Sequence, residues 1–276
     1  MNKIIETEIG SIEYSVFGSG QPVLFLHGGH SNSNETLFQK GYDKSKYQLI
    51  TPSRPGYGKT PLSRFKSPKE SAELIITLLD SLKIEKAILV GISAGGLTAL
   101  ELASNYPDRT EKLILISAVT KKWLTKRDDL YRRGKKMFSP SKEKRSWSLF
   151  RFFFKLLPKL MTKVLFKELS TKEKPIILTD EIAEIREMTF KQGSGFGFEN
   201  DLDQDISNGI IEKIKCPTLI LHSENDKSVN IEMAKYANQK IGNSELKTFD
   251  NKWGHLLWVG EESAKPIADV IKFLNE

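Results

Sequence analysis

Residues 87–106, AILVGISAGGLTALELASNY, constrain the fold of this 276-residue chain more than any other stretch. A short apolar run of strand length leads into Gly91-Ile92-Ser93-Ala94-Gly95, and a helical pattern follows until Tyr106, where Pro107 ends it. A strand that turns directly into a helix leaves little room. The residues two before and two after the serine must be nearly free of side chain, which Gly91 and Gly95 satisfy. The turn lifts the Ser93 hydroxyl to a helix N-terminus, where backbone N–H groups and the helix dipole favour developing negative charge.

The rest of the chain repeats the alternation. Residues 8–17 alternate loosely and stop at Gly18-Ser19-Gly20, and Pro22–Leu26 is a continuous apolar run that stops at His27-Gly28-Gly29. Strands are predicted at 47–51, 86–92, 113–119, 218–221 and 245–249, and helices at 67–82, 94–106, 230–241 and 261–274. Continuous apolar strands alternating with helices predict an α/β fold, a mostly parallel central sheet with helices on both faces. Residues 120–205 break the rhythm: they lack a buried-strand run and are rich in Lys and aromatics. They are read as a helical cap inserted between a first core part, 1–119, and a second, 206–276.

A serine hydroxyl is a weak nucleophile until a base takes its proton, and the base needs an orienting acid. Four histidines exist: His27, His30, His222 and His255. The order serine, acid, histidine that accompanies this type of turn selects His255, on a loop before the last helix. His222 ends a predicted strand and comes too early. Asp226, just past that strand, is the predicted acid, with Glu224 as competitor; Asp250 reads as a loop carboxylate, and Asp201, Asp203 and Asp205 belong near the cap junction. The predicted oxyanion donors are the amides of Ala94 and Gly29, with His30 close behind. His27 is expected to be structural.

These residues resemble the α/β-hydrolase superfamily, specifically the group with a helical cap after the sixth strand. The similarity spans the G-x-G-x-P turn at 18–22, HGG at 27–29, SRPGYG at 53–58, GISAGG at 91–96, CPTLILHSEND at 216–226 and GH at 254–255. Two departures stand out: Pro55 and His222 occupy positions where glycine is common, and His222 is placed to alter hydrogen bonding around Asp226. The resemblance implies a serine hydrolase acting through an acyl-enzyme on a small, fairly apolar ester or related acyl compound. Aminopeptidase or C–C bond hydrolase chemistry of the same fold stays open, as does a slow-turnover sensor or partner-binding protein. His30, Trp123, Phe152 and Phe196 are expected to contact substrate.

The charge is unevenly placed. The net +7 of the chain comes from residues 121–174, whose 18 Lys and Arg against 5 Asp and Glu give +13, while the remainder is acidic at −6. A basic segment of this kind argues against nucleic acid as partner for the whole protein. Arg151, Lys155, Lys159, Lys163 and Lys167 recur every four residues beside an apolar face, interrupted by Pro158, so two helices joined near 157 are predicted. Their stripe suits weak attraction to anionic surfaces. The aspartates of 201–212 have EF-hand spacing, but Ile206 stands at the glycine position, so calcium is not expected. No metal or cofactor is predicted. The N-terminus lacks a signal-peptide pattern, no apolar run approaches membrane-span length, and the single cysteine, Cys216, is read as a buried structural thiol, so a cytoplasmic location is expected.

Overall fold

Along each central strand the side chains alternate between two cores, and this alternation builds the molecule. In β3 (Gln21–Leu26), Leu24 and Leu26 enter one core while Val23 and Phe25 enter the other. The same split divides Leu89 from Ile88 and Val90 in β5 (Ala87–Ile92), and Leu113 and Leu115 from Ile114 and Ile116 in β6 (Thr110–Ile116). Successive side chains of a strand point to opposite faces, so a run that is apolar at every position needs cover on both.

The computed structural model describes residues 2–276. Its eight strands form one sheet in the order β1-β2-β4-β3-β5-β6-β7-β8, with β1 (Lys3–Glu6), β2 (Ser11–Phe17), β4 (Tyr47–Pro52), β7 (Thr218–Ser223) and β8 (Ser244–Phe249) completing the set. The β1–β2 and β2–β4 pairs are antiparallel, and all the others are parallel. One face carries α1 (Pro68–Ser81), α2 (Gly96–Asn105) and α8 (Glu232–Lys240). Ser67 and Glu70 cap the start of α1 reciprocally, and Pro68 fits its first turn. The other face carries α9 (Ala264–Asn275) and part of a helical insertion.

That insertion lies between β6 and β7 and holds five helices: α3 (Asp129–Met137), α4 (Glu143–Leu156), α5 (Pro158–Leu169), α6 (Thr179–Lys191) and α7 (Gly197–Asp201). The joint falls at Leu157, because Pro158 supplies no N–H to continue α4. Phe154, Phe166, Ile185 and Met188 anchor the inserted helices to the second core.

Three details differ from the sequence reading. β1 was not foreseen, because it is an edge strand whose side chains are mostly exposed and carry no burial pattern. β6 starts at Thr110 and ends at Ile116; Ser117, with φ 47°, turns the chain out of the sheet before Val119. Cys216 is only half-buried, packed against the margin of the first core, and burial raises its thiol pKa.

Candidate active site

At the C-terminal end of β5 the chain turns through Ser93 at φ 50°, a left-handed conformation that costs energy for any residue with a Cβ. Close packing holds the turn. A Cβ at Gly91 would stand 2.7 Å from that of Ala99, and one at Gly95 would collide with the carbonyl oxygens of Leu26 and His27. Gly28 brings its loop equally close: a Cβ there would be 2.9 Å from the Cβ of Ser93. The turn and the loop after β3 are therefore locked together.

His255 approaches from the loop after β8. Its Nε2 is 3.0 Å from Ser93 Oγ, and its Nδ1 is 2.8 Å from Asp226 Oδ2. Asp226, in the loop after β7, also accepts the backbone N–H groups of Ser228 and Val229 at Oδ1, at 2.9 and 2.8 Å. Burial alone would raise its pKa; the His255 charge and the hydrogen bonds of His222 and His255 outweigh that and hold the carboxyl at about 2. The base loop is pinned by the end of α5, where the His255 N–H donates to Leu169 O at 3.0 Å. The other carboxylates stand apart: Glu224 is exposed, and Asp250 pairs with Lys172.

The other two early histidines are explained by their bonds. His27 is fully buried; its Nε2 accepts the Arg54 N–H at 2.9 Å, which leaves Nδ1–H to donate to Gly28 O at 2.8 Å. Burial, and then the Arg54 charge, lower its pKa well below the usual value. His30 places Nδ1 2.6 Å from Ser194 Oγ and lies against Phe198 with ring centroids 3.8 Å apart, and burial lowers its pKa to about 3.

Beneath the insertion lies a cavity of about 390 Å³ that Ser93 and His255 share with Gly28, Gly29, His30 and Trp123. Trp123 is fixed by its indole N–H, which donates to Ser228 O at 3.0 Å. Phe152 and Phe196 do not reach this cavity. Phe152 is 55% exposed on an outer stripe of α4, and Phe196 is 57% exposed just before α7. Their places are taken by Trp147 and Phe150 from the inner stripe of α4, and by Phe198 two residues on.

Sequence reasoning missed a buried cluster beside the site. Arg54 binds Asp201 with both terminal nitrogens, at 2.9 and 2.7 Å, and the Tyr57 hydroxyl donates to the same carboxylate at 2.6 Å. Arg54 Nε also donates to His27 O at 2.7 Å, so the cluster joins α7 to the loop after β3. Asp201 is thus committed to an ion pair, and Asp203 to Lys135 and Tyr131. Among the described residues no group of acidic, His or Cys side chains is arranged to hold a metal.

Residues 21–260 match the family described as alpha/beta hydrolase fold. The chain belongs to that family. It is 38% identical to the uncharacterized hydrolase YcgS of Bacillus subtilis (strain 168) over 284 aligned positions, covering 100% of both chains. It is 26% identical to a 2-hydroxymuconate semialdehyde hydrolase of Pseudomonas putida, over 94% of this chain and 89% of that one. An esterase from Exiguobacterium antarcticum shares the fold across 100% of both chains, with a TM-score of 0.73 at 24% identity.

Proposed function

We propose that this α/β-hydrolase-fold chain is a serine hydrolase of a small, fairly apolar ester or related acyl compound, with Ser93, His255 and Asp226 as its triad. The continuous chain of contacts from Ser93 Oγ through His255 to Asp226, at 3.0 and 2.8 Å, carries the reading. Ser93 Oγ attacks the acyl carbon while His255 Nε2 takes the hydroxyl proton; the carbonyl π electrons move to oxygen. Collapse of that intermediate expels the leaving group, which takes its proton from His255, and leaves an acyl-Ser93 ester. Water then adds with His255 again as base, releasing the acid and restoring Ser93. Asp226 stays ionised throughout and steadies the imidazolium.

The oxyanion is assigned to the amides of Ala94 and Gly29. Gly29 lines the cavity, and no backbone hydrogen bond among the described residues engages its N–H. The five inserted helices act as the cap, with Trp123, His30 and Phe198 facing substrate. A relative named as a 2-hydroxymuconate semialdehyde hydrolase and a structural neighbour named as an esterase keep the bond type the first question to test. Turnover of short p-nitrophenyl esters set against vinylogous diketones, in the native protein and in Ser93→Ala, answers it: ester cleavage lost in the variant supports the reading, and turnover unchanged by it refutes the mechanism.

The cap also suits an anionic membrane surface. On α4, Leu149, Phe152, Phe153 and Leu156 form a second apolar stripe facing solvent, continued by Leu157, Leu160 and Val164, each at least 40% exposed. Lys159 and Lys163 stand among them without an acidic partner among the described residues. Apolar side chains flanked by lysines match the acyl and headgroup layers of an anionic bilayer. No helix among the described residues is long and apolar enough to cross a membrane.

A further inference from the structure

His30 is held at several points, and none of them uses its Nε2. Its carbonyl oxygen accepts the Gly193 N–H at 2.7 Å, and its Nδ1 lies 2.6 Å from Ser194 Oγ. Its ring packs against Phe198 and Phe138, with centroids 3.8 and 4.4 Å away. The Ser194 hydroxyl decides which ring nitrogen carries the proton. Ser194 is fully buried, and the Trp147 indole N–H, which can only donate, points at its Oγ from 2.7 Å. The hydroxyl hydrogen then has one acceptor among the described residues, His30 Nδ1. With Nδ1 accepting, the proton of the neutral ring sits on Nε2. The other tautomer would leave the hydroxyl hydrogen buried without an acceptor, which the interior penalises.

Nε2 itself has no hydrogen-bond partner among the described residues, and it is not sealed in the interior. His30 is only partly buried, and it lines the cavity that holds Ser93 and His255. Two close approaches tie it to the reacting serine. A Cβ at Gly28 would stand 2.9 Å from that of Ser93, and one at Gly29 would stand 2.9 Å from Phe198, the ring that His30 packs on. An unused donor thus faces the cavity one residue from the predicted oxyanion amide.

We infer that His30 is a specificity residue whose Nε2–H donates to an uncharged keto or ether oxygen that the substrate carries besides its scissile carbonyl. This rests on the cavity being the substrate site of the proposed serine hydrolase. A lone N–H donor calls for an acceptor, which an alkyl chain or an ammonium lacks. Charge selects among the acceptors. Burial holds the ring pKa at about 3, so near neutral pH the ring is uncharged and offers a carboxylate no counter-charge. Arg133, at the exposed rim of the cavity, is already paired with Glu168 at 3.3 Å. A hydroxyl would accept from Nε2 too, but it brings a hydrogen that needs an acceptor of its own; a keto or ether oxygen brings none.

Quenching of tryptophan fluorescence reads binding without chemistry, because Trp123, Trp147 and Trp258 line the cavity. In Ser93→Ala, N-methylhexanamide is compared with its 3-, 4- and 5-oxo derivatives. The best oxo-amide is expected to bind about fivefold tighter than the parent amide. Adding His30→Asn keeps an acceptor for Ser194 and suits the left-handed backbone, φ 65°, but ends short of the Nε2 position. The preference is then expected to fall below about twofold, while His30→Gln, whose amide nitrogen extends to that position, retains most of it. A role confined to anchoring the cap weakens parent and oxo-amides alike and leaves their ratio unmoved. Equal binding of parent and oxo-amides with His30 intact would overturn the inference, and so would a preference that His30→Asn leaves untouched. Tighter binding of the analogue ending in a carboxylate would overturn it in favour of an anionic ligand. Nitrogen NMR of the histidine rings in the unaltered chain gives a second measurement that needs no variant to fold. It is expected to show the His30 ring neutral with its proton on Nε2 near neutral pH, and a proton on Nδ1 would overturn the assignment. Neither readout uses the nucleophile, so failure of the His30 contact leaves covalent labelling of Ser93 untouched, and failure of that labelling leaves the oxo preference readable.

Discussion

His222 Nε2 lies 3.3 Å from Oδ2 of Asp226, the same oxygen that faces His255 Nδ1, while it also faces Val229 O at 2.9 Å. A histidine at the end of β7 thus braces the acid at the oxygen that also faces the base. His222→Leu removes that brace from a buried carboxylate. The expected outcome is a fall in kcat on short esters of about 5–30-fold, equivalent to about 1–2 kcal/mol, with KM little changed. An unaltered kcat shows that the backbone N–H groups of Ser228 and Val229 suffice.

Asp226 also makes the fold sensitive to acid. Its folded-state pKa of about 2 lies below the ordinary 3.8, so the native state binds fewer protons than the unfolded chain between these values. The stabilisation is fully present above about pH 4 and is lost as pH falls towards 2. Asp226→Asn is expected to flatten the loss of thermal stability over that range, read as Tm against pH relative to the parent protein.

Glu35 has the opposite sign. Its folded pKa of about 7 exceeds the ordinary 4.5, so the native state holds the proton longer and stability declines as pH rises from 4.5 to 7. Glu35→Gln is expected to raise Tm at pH 8 by roughly 3–6 °C and to leave it nearly unchanged at pH 4.5. A gain equal at both pH values means the carboxyl is not held protonated.

The Arg54–Asp201 pair predicts a stability cost with a specific rescue. Both side chains are at most 2% exposed. Asp201→Ala leaves the guanidinium buried without its counter-charge, at a cost of about 3–5 kcal/mol by chemical denaturation. Arg54→Met combined with Asp201→Leu is expected to recover most of it, because neither charge is then stranded. A double variant as unstable as Asp201→Ala points instead to the bond from Arg54 Nε to His27 O.

The basic apolar stripe predicts binding to vesicles of phosphatidylcholine with 30% phosphatidylglycerol, and none to phosphatidylcholine alone, in a flotation assay. Phe153→Glu with Leu160→Glu, or Lys159→Glu with Lys163→Glu, is expected to abolish it, and 0.5 M salt to weaken it. Equal flotation by parent and variants contradicts the assignment, as does a dimer that forms through this face and dissociates in Phe153→Glu.

Much of this architecture was legible in the chain because its physics is local. The runs Val23–Leu26 in β3, Ala87–Ile92 in β5 and Leu219–Leu221 in β7 are apolar at every position, which a sheet covered on both faces accommodates. Ser93 was legible from the two glycines that its turn requires, and Asp226 and His255 from their order along the chain. What was not legible depends on rotation and partners. α4 is apolar on two sides, so the sequence does not say that Trp147, Phe150 and Phe154 turn inward while Phe152 turns out. Likewise, the sequence places Asp201 and Asp203 near the cap junction but not their partners, because Arg54, Tyr57 and Lys135 arrive from distant parts of the chain.

Mass spectrometry of the protein treated with a fluorophosphonate at pH 7.5 tests the central claim most directly. The account predicts one adduct per chain, located by peptide mapping on Ser93, absent in Ser93→Ala and slowed at least about 100-fold in His255→Ala. No adduct, or an adduct that persists in Ser93→Ala, would contradict it.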